Sequence, residues 1–297
     1  MVTEADTCRT YVVPALYRAG WSDDQIREQY AFTNGRIIVT GGVARREKPK
    51  RADYVLFYRR DRPLAVVEAK REQRLPGDGM QQAMEYAEIL DLPFAYSTNG
   101  RGIVEHDYFT GQEQEPAGFP SPEELWERFR AGRGLDERTA EGVLAPYNHT
   151  PGNSPRYYQD VAISRALEAI LKGNQRVLLT MATSSGKTPV AFQICWKLWS
   201  AGWNRAGENR KPRILYLADR SILIDDPKDK TFAPFGEARW KIENGRAITS
   251  REMYFSTYQA IARDESQPGL YREYTRDFFD LVIVDECHRG SARGDSN

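Results

Sequence analysis

Val177-Leu178-Leu179-Thr180-Met181-Ala182-Thr183-Ser184-Ser185-Gly186-Lys187-Thr188 decides the fold. An apolar run over Arg176–Met181 predicts a strand, the small residues after it a tight loop, and Thr188–Trp199 a helix with Pro189 in its first turn. Consecutive backbone N–H groups in such a loop, with a helix N-terminus behind them, form an anion cradle. Ser185, Gly186, Lys187 and Thr188 are therefore candidate nucleotide-binding residues. Lys187 would reach the β- and γ-phosphates, and the Thr188 hydroxyl would take Mg2+. The bland alternative, a Gly-Lys-Thr met by chance, is weakened by the strand–loop–helix context.

A second stretch complements the first. Leu281-Val282-Ile283-Val284 predicts an apolar strand ending in Asp285-Glu286. A strand of that kind carries Asp285 to the C-terminal edge of a sheet, where it would hold Mg2+ while Glu286 orients the attacking water. The alternative is a solvated acidic strand end. Between and around these stretches, the helix Tyr158–Leu171 and the short strands Ile214–Ala218 and Met253–Ser256 alternate in the manner of a parallel, doubly wound α/β sheet.

The N-terminal part has a different pattern. Strand-like runs occur at Arg36–Thr40, Tyr54–Tyr58, Leu64–Ala69, Phe94–Ser97 and Ile103–Val104. A helical pattern covers Glu4–Ala19, interrupted by Pro14, and a helix is predicted from Gly79 to Leu90. If Tyr54–Tyr58 and Leu64–Ala69 form a hairpin centred near Asp61, Asp53 lies opposite Glu68–Lys70. Glu68 and Lys70, two apart, then share a face. Asp53 and Glu68 can hold Mg2+, and Lys70 can position water and stabilise charge at phosphorus. The bland reading is an ordinary charged strand end. From Arg45 to Arg71 there are ten Lys/Arg against four Asp/Glu, a local excess suited to a phosphate backbone or, blandly, to a solvated loop. Gln82 and Tyr86 fall at i and i+4 on one helix face. Glu4 is a further acidic candidate, although a surface position is the simpler reading.

Residues 111–155 are rich in Gly, Pro and acids. Within them Ser121-Pro122-Glu123-Glu124 predicts a capped helix, with Ser121 as N-cap, Pro122 first and Glu124 as capping-box partner. Ala145 to Pro155 is the best boundary. The expected division is 1–110, a linker with a short helix over 111–155, and 156–297.

Composition sets the outer limits. The 297 residues suit about two domains; 40% apolar and 28% charged residues are those of a soluble globular protein. Mean hydropathy is -0.64, and neither a membrane span nor a signal peptide is evident. Cys8, Cys195 and Cys287 are odd in number and far apart, as expected of reduced thiols in a cytoplasmic protein. Cys287 and His288 are adjacent and point apart on a strand end, which argues against a metal pair.

These motifs carry a resemblance. Asp285-Glu286-Cys287-His288 and the Ala-x-x-x-Gly-Lys-Thr loop resemble superfamily 2 helicases and translocases. The resemblance implies adenine recognition by Gln159, about 28 residues before Lys187, and DNA-strand contacts by Tyr216-Leu217-Ala218-Asp219-Arg220 and Ser256-Thr257-Tyr258-Gln259. Ser184 stands where that superfamily usually has Gly, which strains the loop if the position requires positive φ. Asp53, Glu68 and Lys70 resemble a PD-(D/E)xK nuclease core, and Gln82 with Tyr86 the Gln-x-x-x-Tyr motif beside it in type I restriction enzymes. From about residue 3 to the end the chain resembles the N-terminal part of an R, or HsdR-type, subunit of those enzymes. Thr3 to Arg9, Ala65 to Lys70 and Tyr96 to Gly100 share the likeness.

The resemblance implies a PD-(D/E)xK nuclease-like α/β domain followed by a RecA-like parallel-sheet lobe that is incomplete at its C-terminus. It also implies ATP and Mg2+ as cofactors, and double-stranded DNA plus M (methyltransferase) and S (specificity) subunits as partners. The expected activity is ATP-driven DNA translocation coupled to cleavage. Asn297 is thirteen residues after Val284, so this chain by itself is not expected to translocate. Two other readings stand beside it: a repair or defence helicase-nuclease without methyltransferase partners, and a DNA- or nucleotide-binding module without turnover.

Overall fold

The computed structural model describes residues 8–33, 37–40, 43–46, 49–149, 155–242, 247–261 and 270–286. The chain divides into two compact units. The first comprises Met1–Pro146 with Ser154–Ala162, the second Tyr147–Asn153 with Ile163–Asn297.

The first unit opens with a π-turn, Cys8–Val12, and helix α1, Val13–Arg18. Pro14 is the second residue of α1, which continues directly from the π-turn, so the helical run changes from π to α just ahead of the proline. Strands β1 (Ile26–Thr33), β2 (Ile37–Thr40), β3 (Val43–Arg46), β4 (Lys50–Arg59) and β5 (Arg62–Ala69) follow. After helix α2 (Met80–Leu90) come β6 (Phe94–Thr98), β7 (Ile103–Asp107) and β8 (Gln112–Gln114), then helices α3 (Pro122–Arg133) and α4 (Glu137–Leu144). The six-stranded sheet has the order β1-β4-β5-β6-β7-β8, and β2 pairs with β3 in a separate antiparallel ladder.

The hairpin expected around Asp61 is formed. β4 and β5 run antiparallel, with Arg59 opposite Arg62 and Tyr54 opposite Val67. β5 and β6 are parallel, with α2 as the crossover between them. Buried residues Met80, Ala83, Tyr86 and Ala87 recur at helical spacing and pack α2 on Val55, Val66 and Ala95. Ser121 caps α3 by accepting from the Glu124 N–H at 3.1 Å, as its sequence predicts. Trp126 of α3 stacks on Tyr58 with ring centroids 4.8 Å apart.

A buried polar network adds a specific tie between α3 and the sheet. Arg128 donates to both oxygens of Glu105 and to Asp107 Oδ2, the last at 2.8 Å. Tyr96 and Gln114 donate to the same Glu105 carboxylate at 2.6 and 2.8 Å. Burial opposes ionisation of Glu105, but the bonds from Arg128, Tyr96 and Gln114 outweigh it and hold the carboxyl below its ordinary range.

The second unit contains helix α5 (Tyr157–Leu171) from Ile163 onward, helix α6 (Lys187–Ser200), and strands β9 (Ile214–Ala218), β10 (Arg239–Lys241), β11 (Met253–Thr257) and β12 (Leu281–Val284). All pairings in its sheet, ordered β10-β11-β9-β12, are parallel. One face packs Ile214, Tyr216 and Ala218 against Phe192 and Cys195 of α6. The other packs Leu215 and Leu217 against Tyr274 and Phe278. Cover on both faces is what a parallel sheet requires.

One expected strand is not formed. Residues 176–181 lack strand pairing, and Val177, Leu178 and Leu179 are 42%, 77% and 38% exposed. A strand exists only as part of a ladder, and among the described residues no strand pairs with this run. β12 likewise has one open edge, with Val282 and Val284 exposed.

Candidate functional site

Residues of the first unit converge where β4 and β5 meet α2. The antiparallel register sets Asp53 beside Glu68. Glu68 Oε1 accepts from the Asp53 N–H at 3.2 Å, and Asp53 Oδ2 accepts from the Ala69 N–H at 2.9 Å. Lys70 Nζ lies 3.9 Å from Glu68 Oε2. The same ammonium donates to Gln82 Oε1 at 3.0 Å, and Gln82 Nε2 donates to Tyr86 Oη at 3.1 Å. Asp53, Glu68, Lys70, Gln82 and Tyr86 thus form one connected constellation. Glu4 lies outside the described residues.

Two neighbouring carboxylates with a single nearby ammonium leave an excess of negative charge. Glu68 is 1% exposed. Burial first, then the Asp53 charge, pushes its pKa up to about 8, against the opposing pull of Lys70 and the Asp53 N–H. Hard oxygen ligands in surplus negative charge are the donor set a divalent cation such as Mg2+ fits.

Four residues around this constellation carry no signal that sequence spacing could isolate. Gln29, on β1 with φ of 49°, donates through Nε2 to Asp53 Oδ1 at 3.1 Å. Ser97 donates to Pro76 O at 2.5 Å and accepts from the Gly79 N–H at 3.0 Å. Asn99 donates to Arg74 O at 2.7 Å and accepts from the Arg101 and Gly102 N–H groups, both at 2.9 Å. Ser97 and Asn99 therefore pin the segment joining Lys70 to α2. Gly79 leaves room for Lys70: a Cβ there would stand 3.0 Å from Lys70 Cε and 2.8 Å from Ser97 Oγ. Within the basic cluster, Arg62 is buried over the Phe129 ring at 4.2 Å, and Lys50 pairs with Glu85. Arg62 thus serves packing, and Lys50 is engaged in a surface ion pair.

The second unit brings together Lys187, Thr188, Asp285 and Glu286. Ser184 has φ of 59° and Gly186 a φ of 86°, so the loop does place a non-glycine residue in the left-handed region. Ser185 Oγ donates to Ala182 O at 2.6 Å, closing the turn. Lys187 Nζ lies 3.4 Å from Glu286 Oε1, where a phosphate would compete for the ammonium. The Asp285 N–H donates to Leu217 O at 2.8 Å, carrying the β12–β9 ladder one residue past the strand. Asp285 Oδ1 accepts from the Glu286 N–H at 3.0 Å and Oδ2 from Tyr216 Oη at 2.6 Å. A carboxylate beside a helix-opening Thr hydroxyl and a Lys suits a Mg2+–nucleotide.

Other sequence candidates fall differently. Gln159 Oε1 accepts from the Arg156 N–H at 2.8 Å, so it caps its own helix, and it belongs to the first unit. Tyr216 and Ser256, expected in DNA-contacting motifs, are 0% and 1% exposed inside the sheet and offer DNA no surface; Arg220 and Gln259 are exposed. Cys287 and His288 lie outside the described residues. Among the described residues no helix is long and apolar enough to cross a membrane.

Fold and sites together define a two-unit α/β protein with a carboxylate–lysine cluster ahead of a Gly-Lys-Thr loop on a parallel sheet. Two family descriptions match: "Type I restriction enzyme R protein N terminus (HSDR_N)" over residues 23–117 and "Type III restriction enzyme, res subunit" over residues 153–296. The chain is 43% identical to the Escherichia coli "Type I restriction enzyme EcoAI endonuclease subunit" over 99% of its own length and 36% of that protein's. It is 27% identical to the EcoKI endonuclease subunit of Escherichia coli K12, over 80% of this chain and 24% of that one. A solved fragment described as an HsdR subunit of a type I restriction enzyme from Vibrio vulnificus YJ016 superposes with a TM-score of 0.84 at 54% identity, covering 96% of this chain and 51% of that one. The chain belongs to the HsdR family of type I restriction-enzyme endonuclease subunits. It spans 36% of the EcoAI relative's length and 51% of the Vibrio fragment's.

Proposed function

We propose that this chain contributes the DNA-cleaving and first ATP-binding parts of a type I restriction enzyme's R subunit. In this reading the first unit is a PD-(D/E)xK nuclease and the second a RecA-like motor lobe. The observation that carries it is the constellation of Asp53, Glu68 and Lys70, with Lys70 held by Gln82 and Gln82 by Tyr86.

Asp53 and Glu68 would hold Mg2+ in the first unit, and Thr188 and Asp285 would hold it in the second. Bound Mg2+ would supply Lewis-acid polarisation of phosphate oxygens and acidify coordinated water at both places. Lys70, fixed by Gln82, orients the attacking water and offsets charge developing on the scissile phosphate. At the other site the helix N-terminus and Lys187 bind the β- and γ-phosphates of ATP. Lys187 exchanges Glu286 for phosphate, which leaves the Glu286 carboxylate to orient water. Ser185 and Gly186 supply loop N–H groups. Double-stranded DNA is the substrate, M and S subunits the partners, and the cytoplasm the location. Translocation belongs to the complete subunit rather than to this portion of it.

Asp53→Ala in an assembled enzyme is expected to abolish DNA cleavage while sparing DNA-stimulated ATP hydrolysis. Retained cleavage would overturn the nuclease assignment.

A further inference from the structure

Tyr216 contacts Asp285, a proposed Mg2+ ligand of the second unit, and its position follows from sheet register. Ile283 of β12 pairs with Tyr216 of β9, and Val284 with Leu217. Side chains alternate along a strand, so Tyr216, Ile283 and Asp285 share one sheet face. It is the face on which α6 packs, the helix that Lys187 and Thr188 open. The Tyr216 ring is 0% exposed and sits edge-on to Phe232, centroids 5.5 Å apart. From there its hydroxyl donates to Asp285 Oδ2 at 2.6 Å.

A buried phenol needs a partner, and any backbone carbonyl would suffice for stability. Here the partner is the carboxylate at the end of β12. The consequences are directional. Asp285 receives one donor on each oxygen, from Tyr216 and from the Glu286 N–H, which fixes the plane of its carboxylate.

We infer that Tyr216 is a positioning residue for the divalent cation of the nucleotide site, orienting Asp285 through its hydroxyl. The inference rests on the nucleotide reading given above.

The test uses the full subunit, a fluorescent non-hydrolysable ATP analogue, and Mg2+ titrated from an EDTA buffer. Tyr216→Phe keeps the ring and removes the hydroxyl. It should raise the Mg2+ midpoint about tenfold, in the usual range for residues that orient metal ligands. Affinity for the analogue without Mg2+ should change less than about twofold, because the Asp285 carboxylate that the phenol orients is assigned to the cation and not to a phosphate. Mn2+ binding to the nucleotide complex, followed by electron paramagnetic resonance, should weaken in parallel without any turnover. In an Asp285→Asn background, Tyr216→Phe should add little, since the route to the metal is already cut. An unchanged midpoint in a folded Tyr216→Phe protein would overturn the inference. So would an equal loss of affinity with and without Mg2+, which marks a packing role. If Asp285→Asn itself leaves the midpoint unchanged, the nucleotide reading falls, and the inference with it.

Discussion

Substituting Gly79 by Ala tests how Lys70 is placed. The new Cβ would stand 2.8 Å from Ser97 Oγ and 3.0 Å from Lys70 Cε. Ser97 is 0% exposed and cannot swing toward solvent; its hydroxyl is held by the Gly79 N–H and by Pro76 O. Disrupting that buried pair costs about 1–3 kcal/mol. Gly79 has φ of -96° and ψ of -4°, which Ala adopts freely, so a stiffer unfolded chain offsets about 0.5–1 kcal/mol. The net is a loss of about 1–2 kcal/mol, read by chemical denaturation. The larger consequence is at the lysine. A displacement approaching 1 Å at a reacting group lowers rates by up to about a hundredfold. In an assembled enzyme, plasmid cleavage should therefore fall by one to two orders of magnitude while ATP hydrolysis in the same preparation is unchanged. Cleavage at the unsubstituted rate would refute the argument that Lys70 passes through the space Gly79 leaves.

Three further outcomes follow from particular residues. Ser184→Gly removes a left-handed non-glycine residue, so stability to denaturant should rise by about 1 kcal/mol, whereas Ser184→Val should lower it. Glu68 has its folded pKa raised to about 8 from 4.5, so its contribution is fully present below pH 4.5 and is lost as pH rises through 8. Mg2+ must displace that proton, so thermal stabilisation by Mg2+ should be larger at pH 8 than at pH 6, and Glu68→Gln should abolish the difference. Arg128→Ala leaves Glu105, 1% exposed, without its cation and should destabilise the first unit by about 3 kcal/mol, measured by denaturant titration.

Much of the sheet architecture was legible because its cues are local. The β4–β5 hairpin, α2, the cap at Ser121 and the strands Ile214–Ala218 and Leu281–Val284 each follow from short-range pattern and turn chemistry. The spacing that puts Asp53 across from Glu68, and Gln82 one turn before Tyr86, is equally local. What stayed hidden depends on distant partners. The run at Val177–Leu179 has a strand's composition, but a strand needs a neighbour that composition does not provide. Gly79 reads as an ordinary helix start until Lys70 is seen to pass over it. Tyr216 sits in a segment that resembles a DNA-contacting motif, and only the β9–β12 register turns its hydroxyl toward Asp285.

The central claim is that two chemistries, cleavage and ATP hydrolysis, are housed in separate units and run in one order. It is tested most directly by measuring DNA cleavage and ATP hydrolysis side by side in assembled enzyme carrying either Lys70→Ala or Lys187→Ala. Lys70→Ala should lose cleavage alone, and Lys187→Ala should lose both. Cleavage surviving Lys187→Ala, or ATP hydrolysis failing with Lys70→Ala, would contradict the account.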